Sequence, residues 1–359
     1  MKKYILIILP VFLLLSCFGL DPRQSSDRLS PSGFTSFNMS LNQHKEGTYF
    51  LLVKDERTIS INTYENGSIN EIRTIDVPEN SIVGTNQKDV IAVIDTNNNT
   101  ILIYDINTSK ETQLSIPFSI KPKCILINNE NIFIGGIMGE ELLIQYHLKN
   151  EEWHRLEIPQ EVTIWGKAID DMVINDNFLI AVDNIVIPKY ILFYHLNPTS
   201  KLEYSHYREL KDNGPYEHIY QARISPKYLG LASYTISGYT GVFQHITIYN
   251  DLELRHSFAI SFRIERISDL YSNRRINDFI IIQDKIYIAD RINGLGILEI
   301  DESYFRANRR NFEIDAKNIN YMQYTNEEIL RFTQVPNEDK IILTIRSLTG
   351  AIRYAIFEL

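Results

Sequence analysis

The sequence predicts an all-β protein, a β-propeller of seven blades with about four antiparallel strands each. Short segments rich in Ile, Leu, Val, Tyr and Phe alternate apolar with polar residues and are separated by Asn, Asp and Gly turns. A pair of such strands also recurs seven times, and the steps between equivalent positions run from 42 to 58 residues. A spacing of about 40 to 50 residues is typical of a four-stranded blade.

The strand pairs differ in how well they keep the pattern. Residues 89–105 and 285–301 keep it best, and the other five pairs cover residues 48–64, 131–148, 177–196, 228–250 and 340–359. Further strands are expected on either side of each pair, for example 276–283 and 310–315 around the sixth. One such unit cannot bury both of its faces, whereas a ring of units covers them all and leaves few exposed edges.

The first 16 residues are predicted to be a signal peptide. Lys2 and Lys3 make a positive start, and residues 4–15 form an uncharged apolar run. This run is shorter than the roughly 20 residues that a membrane-spanning helix needs, and Pro10 interrupts it.

The apolar run ends in Leu14-Leu15-Ser16-Cys17, which resembles the cleavage box of bacterial lipoproteins. The resemblance implies that the Cys17 thiol carries a diacylglycerol, that the peptide is cut before Cys17, and that the freed amine is acylated. Several acyl chains would then hold the protein on a bacterial membrane outside the cytoplasm, on the periplasmic side or the cell surface. The alternative is an ordinary secreted protein in which Cys17 is incidental.

The mature chain is expected to contain a tether and one domain. Residues 17–33 form the lipidated N-terminus and a polar, flexible tether, because 21–33 is polar, contains Pro, Ser and Gly, and has no apolar face. Residues 34–359 form the propeller. The length would also allow two ordinary domains, and the repeat favours a single one.

Charge and cysteine content exclude some classes of protein. Lys and Arg number 36 against 45 Asp and Glu, a net charge of −9, so we expect no nucleic-acid partner. Cys124 is the only cysteine besides Cys17, so no disulfide framework forms within the chain. Cys124 lies in an apolar strand and is expected to be a small buried residue.

The sixth pair adds a second resemblance. Its sequence, IYIADRINGLGILEID within 285–301, looks like the LVIVP-type β-propeller repeat, and residues 89–105 match in part. In that repeat, a strand ending in Ala-Asp leads through a Gly turn to a strand ending in Asp. The resemblance implies a propeller scaffold and no particular chemistry.

Two sets of polar residues recur at equivalent positions. Asp95, Asp183 and Asp290 end the first strand of their pairs, so a ring would place them on one rim. There they could form an acidic site for a cation or a cationic partner, or they could stabilise their own turns. His147 and His195 would lie on adjacent blades, but no third ligand shares their position. We therefore expect no metal site and no cofactor.

The segments that link successive blades are unequal in length. Residues 160–168, 208–218, 261–275 and 316–327 are long, whereas 78–80 and 118–121 are short. Linking loops emerge on one face of a propeller, where variable loops build binding sites. The long ones supply a candidate set for partner binding, namely Tyr216, Arg263, Arg266, Tyr271, Arg274 and Arg275. The alternative is tolerated insertion without function.

These observations favour a non-enzymatic binding or scaffold module for a protein or glycan in the cell envelope. The chain has no GxSxG, HExxH or Walker motif, so an enzyme hypothesis lacks named residues. Two alternatives stay open. One is a hydrolase or lyase with its site at the central channel, and the other is an envelope assembly factor that pairs through sheet edges.

Overall fold

The computed structural model describes residues 43–44, 48–54, 57–86, 89–128, 131–137, 142–159, 168–175, 178–183, 190–196, 202–210, 217–237, 241–252, 254, 256–264, 275–305, 312–324, 326–335 and 338–359. The predicted signal peptide, Cys17 and the tether lie outside these ranges. The described helices are two short 3-10 turns, η1 (Glu302–Phe305) and η2 (Ala316–Asn318). Within the described ranges, no helix has the length and apolar character needed to cross a membrane.

The described strands form seven sheets, numbered here in chain order. Sheet 1 contains β1 (Gln43–His44), β2 (Thr48–Lys54), β3 (Thr58–Glu65) and β4 (Ser68–Asp76). Sheet 2 contains β5 (Ile82–Thr85), β6 (Val90–Asp95), β7 (Thr100–Asp105) and β8 (Glu111–Ser115). Sheet 3 contains β9 (Lys121–Asn128), β10 (Asn131–Ile137), β11 (Leu143–His147) and β12 (Glu152–Arg155). Sheet 4 contains β13 (Ile169–Ile174), β14 (Phe178–Asp183), β15 (Tyr190–His195) and β16 (Glu203–Glu209).

The later sheets are less regular. Sheet 5 contains β17 (Glu217–Ile224), β18 (Leu229–Ser237), β19 (Gly241–Tyr249), β20 (Ser257–Ile264) and, beyond β20, β24 (Phe312–Asp315). Sheet 6 contains β21 (Ile276–Ile282), β22 (Lys285–Asp290), β23 (Gly294–Glu299) and β25 (Asn320–Met322). Sheet 7 contains β26 (Glu327–Gln334), β27 (Lys340–Ser347) and β28 (Ile352–Glu358).

Each sheet packs on the next through buried aliphatic and aromatic side chains. Six apolar clusters fill the spaces between successive sheets. The first cluster also joins the last sheet to the first, because Ile342 of sheet 7 and Ile61 of sheet 1 share it. Asn62 Nδ2 donates a hydrogen bond to the Tyr354 hydroxyl at 3.1 Å across the same boundary. The sheets therefore follow one another around a closed circuit, the arrangement of a β-propeller.

The all-β prediction is confirmed, and so are the seven predicted strand pairs. Each pair forms the second and third strands of one sheet in antiparallel register. These two strands lie in the middle of a blade, where both faces are covered, so their sequences are the most apolar and show the repeat most clearly.

The prediction that residues 310–315 form the outer strand of the sixth pair is wrong. β24 pairs instead with β20 of sheet 5, in parallel. The preceding turn η1 brings the chain there, because the ring of Phe305 packs on Phe258 of β20 with their centroids 5.2 Å apart. β25, which lies within the segment predicted to be a link, takes the fourth position of sheet 6.

The antiparallel strand order defines two faces of the ring. The first strand of each sheet begins, and the second ends, at one face, which we call the linking face because the links between sheets reach it. The turns between first and second strands, and between third and fourth strands, lie at the opposite face.

Candidate functional site

The first strands of the sheets share an irregularity close to the linking face. In five of the described first strands the pairing register passes over one residue, which produces a β-bulge. The residues passed over are Lys123, Asp170, Tyr220, Asn277 and Leu330. A bulge bends the strand and re-aims the next side chain, so the residue after it can reach the neighbouring sheet.

In four of these strands the side chain of the residue after the bulge forms a hydrogen bond to the next sheet. We call these four residues the inner-strand belt: Cys124, Asp171, Gln221 and Asp278. The bonds run from Cys124 Sγ to Ile169 O (3.4 Å), from Ala222 N to Asp171 Oδ2 (2.7 Å), from Gln221 Nε2 to Asp278 Oδ1 (2.7 Å) and from Phe332 N to Asp278 Oδ2 (3.0 Å). The belt thus ties sheets 3 to 7 together close to the linking face.

Asp278 is the most heavily bonded member of the belt. Besides Gln221 and Phe332, its carboxylate accepts from the backbone N–H of Phe279 at 2.9 Å and from Arg223 NH2 at 2.7 Å. The side chain is almost fully buried. Burying a carboxylate is costly unless its oxygens are hydrogen-bonded and its charge is balanced, and here both conditions are met.

A second arginine lies close to Asp278. Burial lowers the pKa of Arg331 to about 10, an effect that the negative charge of Asp278 opposes and the positive charge of Arg223 adds to. The Arg331 guanidinium therefore stays charged at neutral pH. Both arginines therefore interact with the negative charge of Asp278.

The Cys124 thiol is unsuited to nucleophilic chemistry. The residue is 1% exposed, and burial, helped by the negative charges of Asp171 and Asp170, raises its pKa well above the ordinary value. A neutral, inaccessible thiol reacts slowly. Its position agrees with the sequence-based expectation of a small buried residue.

The structure places the candidate acidic rim at the linking face, where the second strands end. Asp95 Oδ1 accepts from the backbone N–H groups of Asn97 and Asn98, and Asp290 Oδ1 does the same for Ile292 and Asn293. Asp183 ends β14, but its side chain lies outside the described residues. Asp95 and Asp290 thus stabilise their own hairpin turns, as the structural alternative predicted.

Asp290 has an additional partner that the sequence did not suggest. Arg275 donates to it from Nε and NH2, with distances of 3.0 to 3.2 Å, and the carboxylate is fully buried. Gln244 accepts from the backbone N–H groups of Arg275 and Ile276. The Arg275 side chain is 14% exposed, so this member of the candidate partner-binding set braces the start of sheet 6.

The other members of that set cannot be placed in a site. Tyr216, Arg266, Tyr271 and Arg274 lie outside the described residues. Arg263 belongs to β20, where its backbone pairs with Phe243, and its side chain is not among those described.

The two histidines lie at the opposite face and serve local structure. His147 Nδ1 accepts from the backbone N–H of Asn150 at 3.1 Å, within the turn after β11. The His195 ring lies over Phe178 and contacts Ser205 Oγ. Among the described residues, no group of three His, Cys, Asp or Glu side chains is arranged to hold a metal ion.

A polar cluster at the linking face joins sheets 6 and 7. Glu328 accepts from Arg346 NH2 at 2.8 Å and from Asn277 Nδ2 at 2.8 Å, and Arg291 Nε lies 3.3 Å from it. Burial alone would raise the pKa of Glu328, but these hydrogen bonds and the charges of both arginines outweigh it, so the pKa is lowered. Two guanidinium groups therefore share one carboxylate.

The belt has a signal in the sequence that lies outside the seven strand pairs. The pattern is an isoleucine, then any residue, then a polar residue, then an apolar residue. It occurs three times, beginning with Ile169-Asp170-Asp171, Ile219-Tyr220-Gln221 and Ile276-Asn277-Asp278. A polar residue at a fixed place in a buried strand points to a structural hydrogen bond.

Comparison with solved structures supports the fold. The chain superposes on "Kuenenia stuttgartiensis Hydrazine Synthase" with a TM-score of 0.60 at 11% identity, covering 92% of this chain and 96% of that one. It superposes on the N-terminal domain of Nup159 with a TM-score of 0.53 at 9% identity, covering 93% and 92%. At such identities the similarity concerns the fold alone. No protein-family model matches the sequence, and no curated protein matches it.

Proposed function

We propose that this chain is a bacterial envelope lipoprotein whose seven sheets are the seven blades of one propeller. In this proposal acyl chains on Cys17 hold the protein on a membrane outside the cytoplasm. The propeller is a non-enzymatic binding or scaffold module, and its linking face receives a protein or glycan partner.

The inner-strand belt is the observation that carries the proposal. Asp171 and Asp278 use their carboxylates to hold backbone N–H groups of the next sheet. Groups engaged in this way are poor general acids or bases, because their protonation would break bonds between sheets. The same bonds fix the starts of the sheets, which gives the links at this face a rigid base, as binding loops require.

The lipid anchor has a direct test in cells fed with labelled fatty acid. The wild-type protein should incorporate label and sediment with membranes, and Cys17→Ala should lose both properties. Cys124→Ala is the matched control and should keep the label, because its thiol is buried in the domain. Equal labelling of Cys17→Ala and the wild type would refute the anchor.

The binding face is tested by deleting residues 212–216 from the link between sheets 4 and 5. Photo-crosslinking in native envelopes should then capture less partner, while the thermal midpoint stays nearly unchanged. Replacing residues 107–109, a turn at the opposite face, with glycines is the control and should leave capture intact. Equal loss of capture in both variants would contradict the assignment of the face.

The enzyme alternative makes a different prediction. A hydrolase or lyase at the channel would need ionisable groups that are free to exchange protons with a substrate. Turnover of envelope glycans or peptides that disappears in Asp170→Asn, with unchanged stability, would favour that alternative over a binding module.

A further inference from the structure

Two hairpin turns at the linking face expose large aliphatic side chains. Ile292, in the turn between β22 and β23, is 72% exposed, and Leu348, in the turn between β27 and β28, is 81% exposed. These are the largest exposures among the large apolar residues of the described chain. Turn tips are ordinarily polar, as in Asn97 and Asn98 of sheet 2, so two aliphatic tips on hairpins of adjacent sheets indicate contact with another apolar surface.

A shared carboxylate joins the bases of the two hairpins. Glu328 lies between Arg291, which precedes Ile292, and Arg346, which is two residues before Leu348. Met322 adds to the apolar surface, since it is about half exposed and its carbonyl lies against the turn at Gly294. Ile292, Met322 and Leu348, flanked by Arg291 and Arg346, are called the tip patch below.

The chemistry of the tip patch fits an anionic lipid surface. Two arginines share one carboxylate, so the patch has an excess of positive charge in a protein whose net charge is −9. Basic side chains near an anionic membrane are attracted by its negative surface potential. The aliphatic tips are highly exposed, so they can enter the boundary between lipid headgroups and acyl chains without a complementary pocket.

We propose that the tip patch rests on the anionic lipid surface to which the protein is attached. This inference rests on the proposed lipid anchor, because the patch is too small to hold the protein on a membrane alone. The anchor supplies the high local concentration that makes weak contacts effective. Sheet 7 packs on sheet 1, and sheet 1 is the first sheet to follow the predicted tether in the sequence. The links from sheet 3 to sheet 4 and from sheet 4 to sheet 5 then remain available to a partner.

The first experiment measures the depth of the tips. Lipidated protein with bimane attached at Leu348→Cys is placed on vesicles of equal parts phosphatidylcholine and phosphatidylglycerol that contain a nitroxide-labelled lipid. We expect at least about twofold quenching of the probe by the nitroxide. The matched control is Thr108→Cys, an exposed turn residue at the opposite face, which should show no quenching. The buried Cys124 should not take up the label.

The outcomes separate the patch from the anchor. Vesicle-bound protein without quenching at position 348, or with equal quenching at both positions, would overturn the patch and leave the anchor standing. Protein that never joins the vesicles and lacks fatty acid would refute the anchor itself. Quenching that needs an added envelope protein would overturn the lipid assignment in favour of a protein partner.

The second experiment removes the anchor and measures the patch alone. The Cys17→Ala chain should partition weakly into anionic vesicles, and adding Ile292→Asp and Leu348→Asp should reduce this partition about tenfold or more. Ile72→Asp is the control, because Ile72 is 49% exposed on β4, away from the patch. An equal reduction by the control, or no reduction by the double variant, would refute the proposal. Unfolding curves check that all of the chains remain folded.

Discussion

Asp278 and Phe332 belong to different sheets, yet the Asp278 carboxylate accepts a hydrogen bond from the Phe332 backbone N–H at 3.0 Å. Asp171 makes the equivalent bond to Ala222 two sheets earlier. A side chain that accepts a hydrogen bond from the backbone of the next sheet holds the two sheets in a fixed register. Apolar packing alone is less specific.

Removing the Asp278 carboxylate should destabilise the protein strongly. Asp278→Ala leaves four donors without their acceptor, among them the guanidinium of Arg223, in a buried place. We expect a loss of about 3 to 5 kcal/mol in the free energy of unfolding, measured by chemical denaturation. Asp76→Ala, at an exposed position on β4, should cost less than about 0.5 kcal/mol. Similar losses in the two variants would contradict the role of the belt.

A methyl group at Gly135 should disturb the contact between sheets 3 and 4. A Cβ at this position would lie 2.6 Å from Ile169 Cγ2 and 2.7 Å from Cys124 Sγ. Gly135→Ala should therefore cost about 1 to 3 kcal/mol by overpacking, and a thermal melt would show a lower midpoint. Gly67→Asn is the control, because this turn position has open space and a positive φ that Asn accepts. An unchanged midpoint for Gly135→Ala would show that Ile169 and Cys124 can shift to accommodate the methyl group at little cost.

The cluster around Glu328 predicts a dependence on pH. Its pKa is lowered in the folded protein, so its stabilising effect is complete above the unfolded value of about 4.3 and is lost as the pH falls through the folded value. Glu328→Gln should cost about 1 to 2 kcal/mol at neutral pH, and this difference should shrink on acidification. Glu79→Gln removes an exposed pair with Arg57 and should show almost no difference at either pH. If the difference in unfolding free energy between the wild type and Glu328→Gln stayed constant with pH, this explanation would be wrong.

The Cys124 thiol should react only when the protein opens. In the Cys17→Ala chain it is the single cysteine, and burial holds its pKa well above the usual range. We expect almost no reaction with a thiol-specific disulfide reagent at about pH 8, and complete reaction after denaturation. The reaction rate then reports on local opening between sheets 3 and 4. Rapid labelling of the native chain would contradict the burial of this strand.

The sequence could predict the strand pairs because the middle strands of a blade are buried on both faces and keep an apolar pattern. The bonds of the belt were harder to predict, since their polar residues lie inside apolar strands and recur at unequal steps. The placement of β24 could not be predicted, because Phe312–Asp315 reads as an ordinary outer strand. Its parallel pairing with β20 and the packing of Phe305 on Phe258 place it in sheet 5.

The candidate site contains contacts that the sequence alone did not indicate. Arg275 was expected to face a partner, and its charge is instead balanced by Asp290, which a sequence without contacts does not reveal. The aliphatic tips were also missed, since Ile292 lies in a segment whose Asn and Gly residues already explain the turn. Ile292 indicates a contact surface only together with Leu348, which lies more than 50 residues later in the sequence.

The parallel strand β24 has a consequence for how the chain is made. β20 gains its outer neighbour only after all of β21, β22 and β23 has left the ribosome. Until then the edge of the fifth sheet stays bare, and a nascent chain halted near residue 300 would expose it to pairing with other polypeptides. Sheet 5 should therefore complete its folding only together with sheet 6.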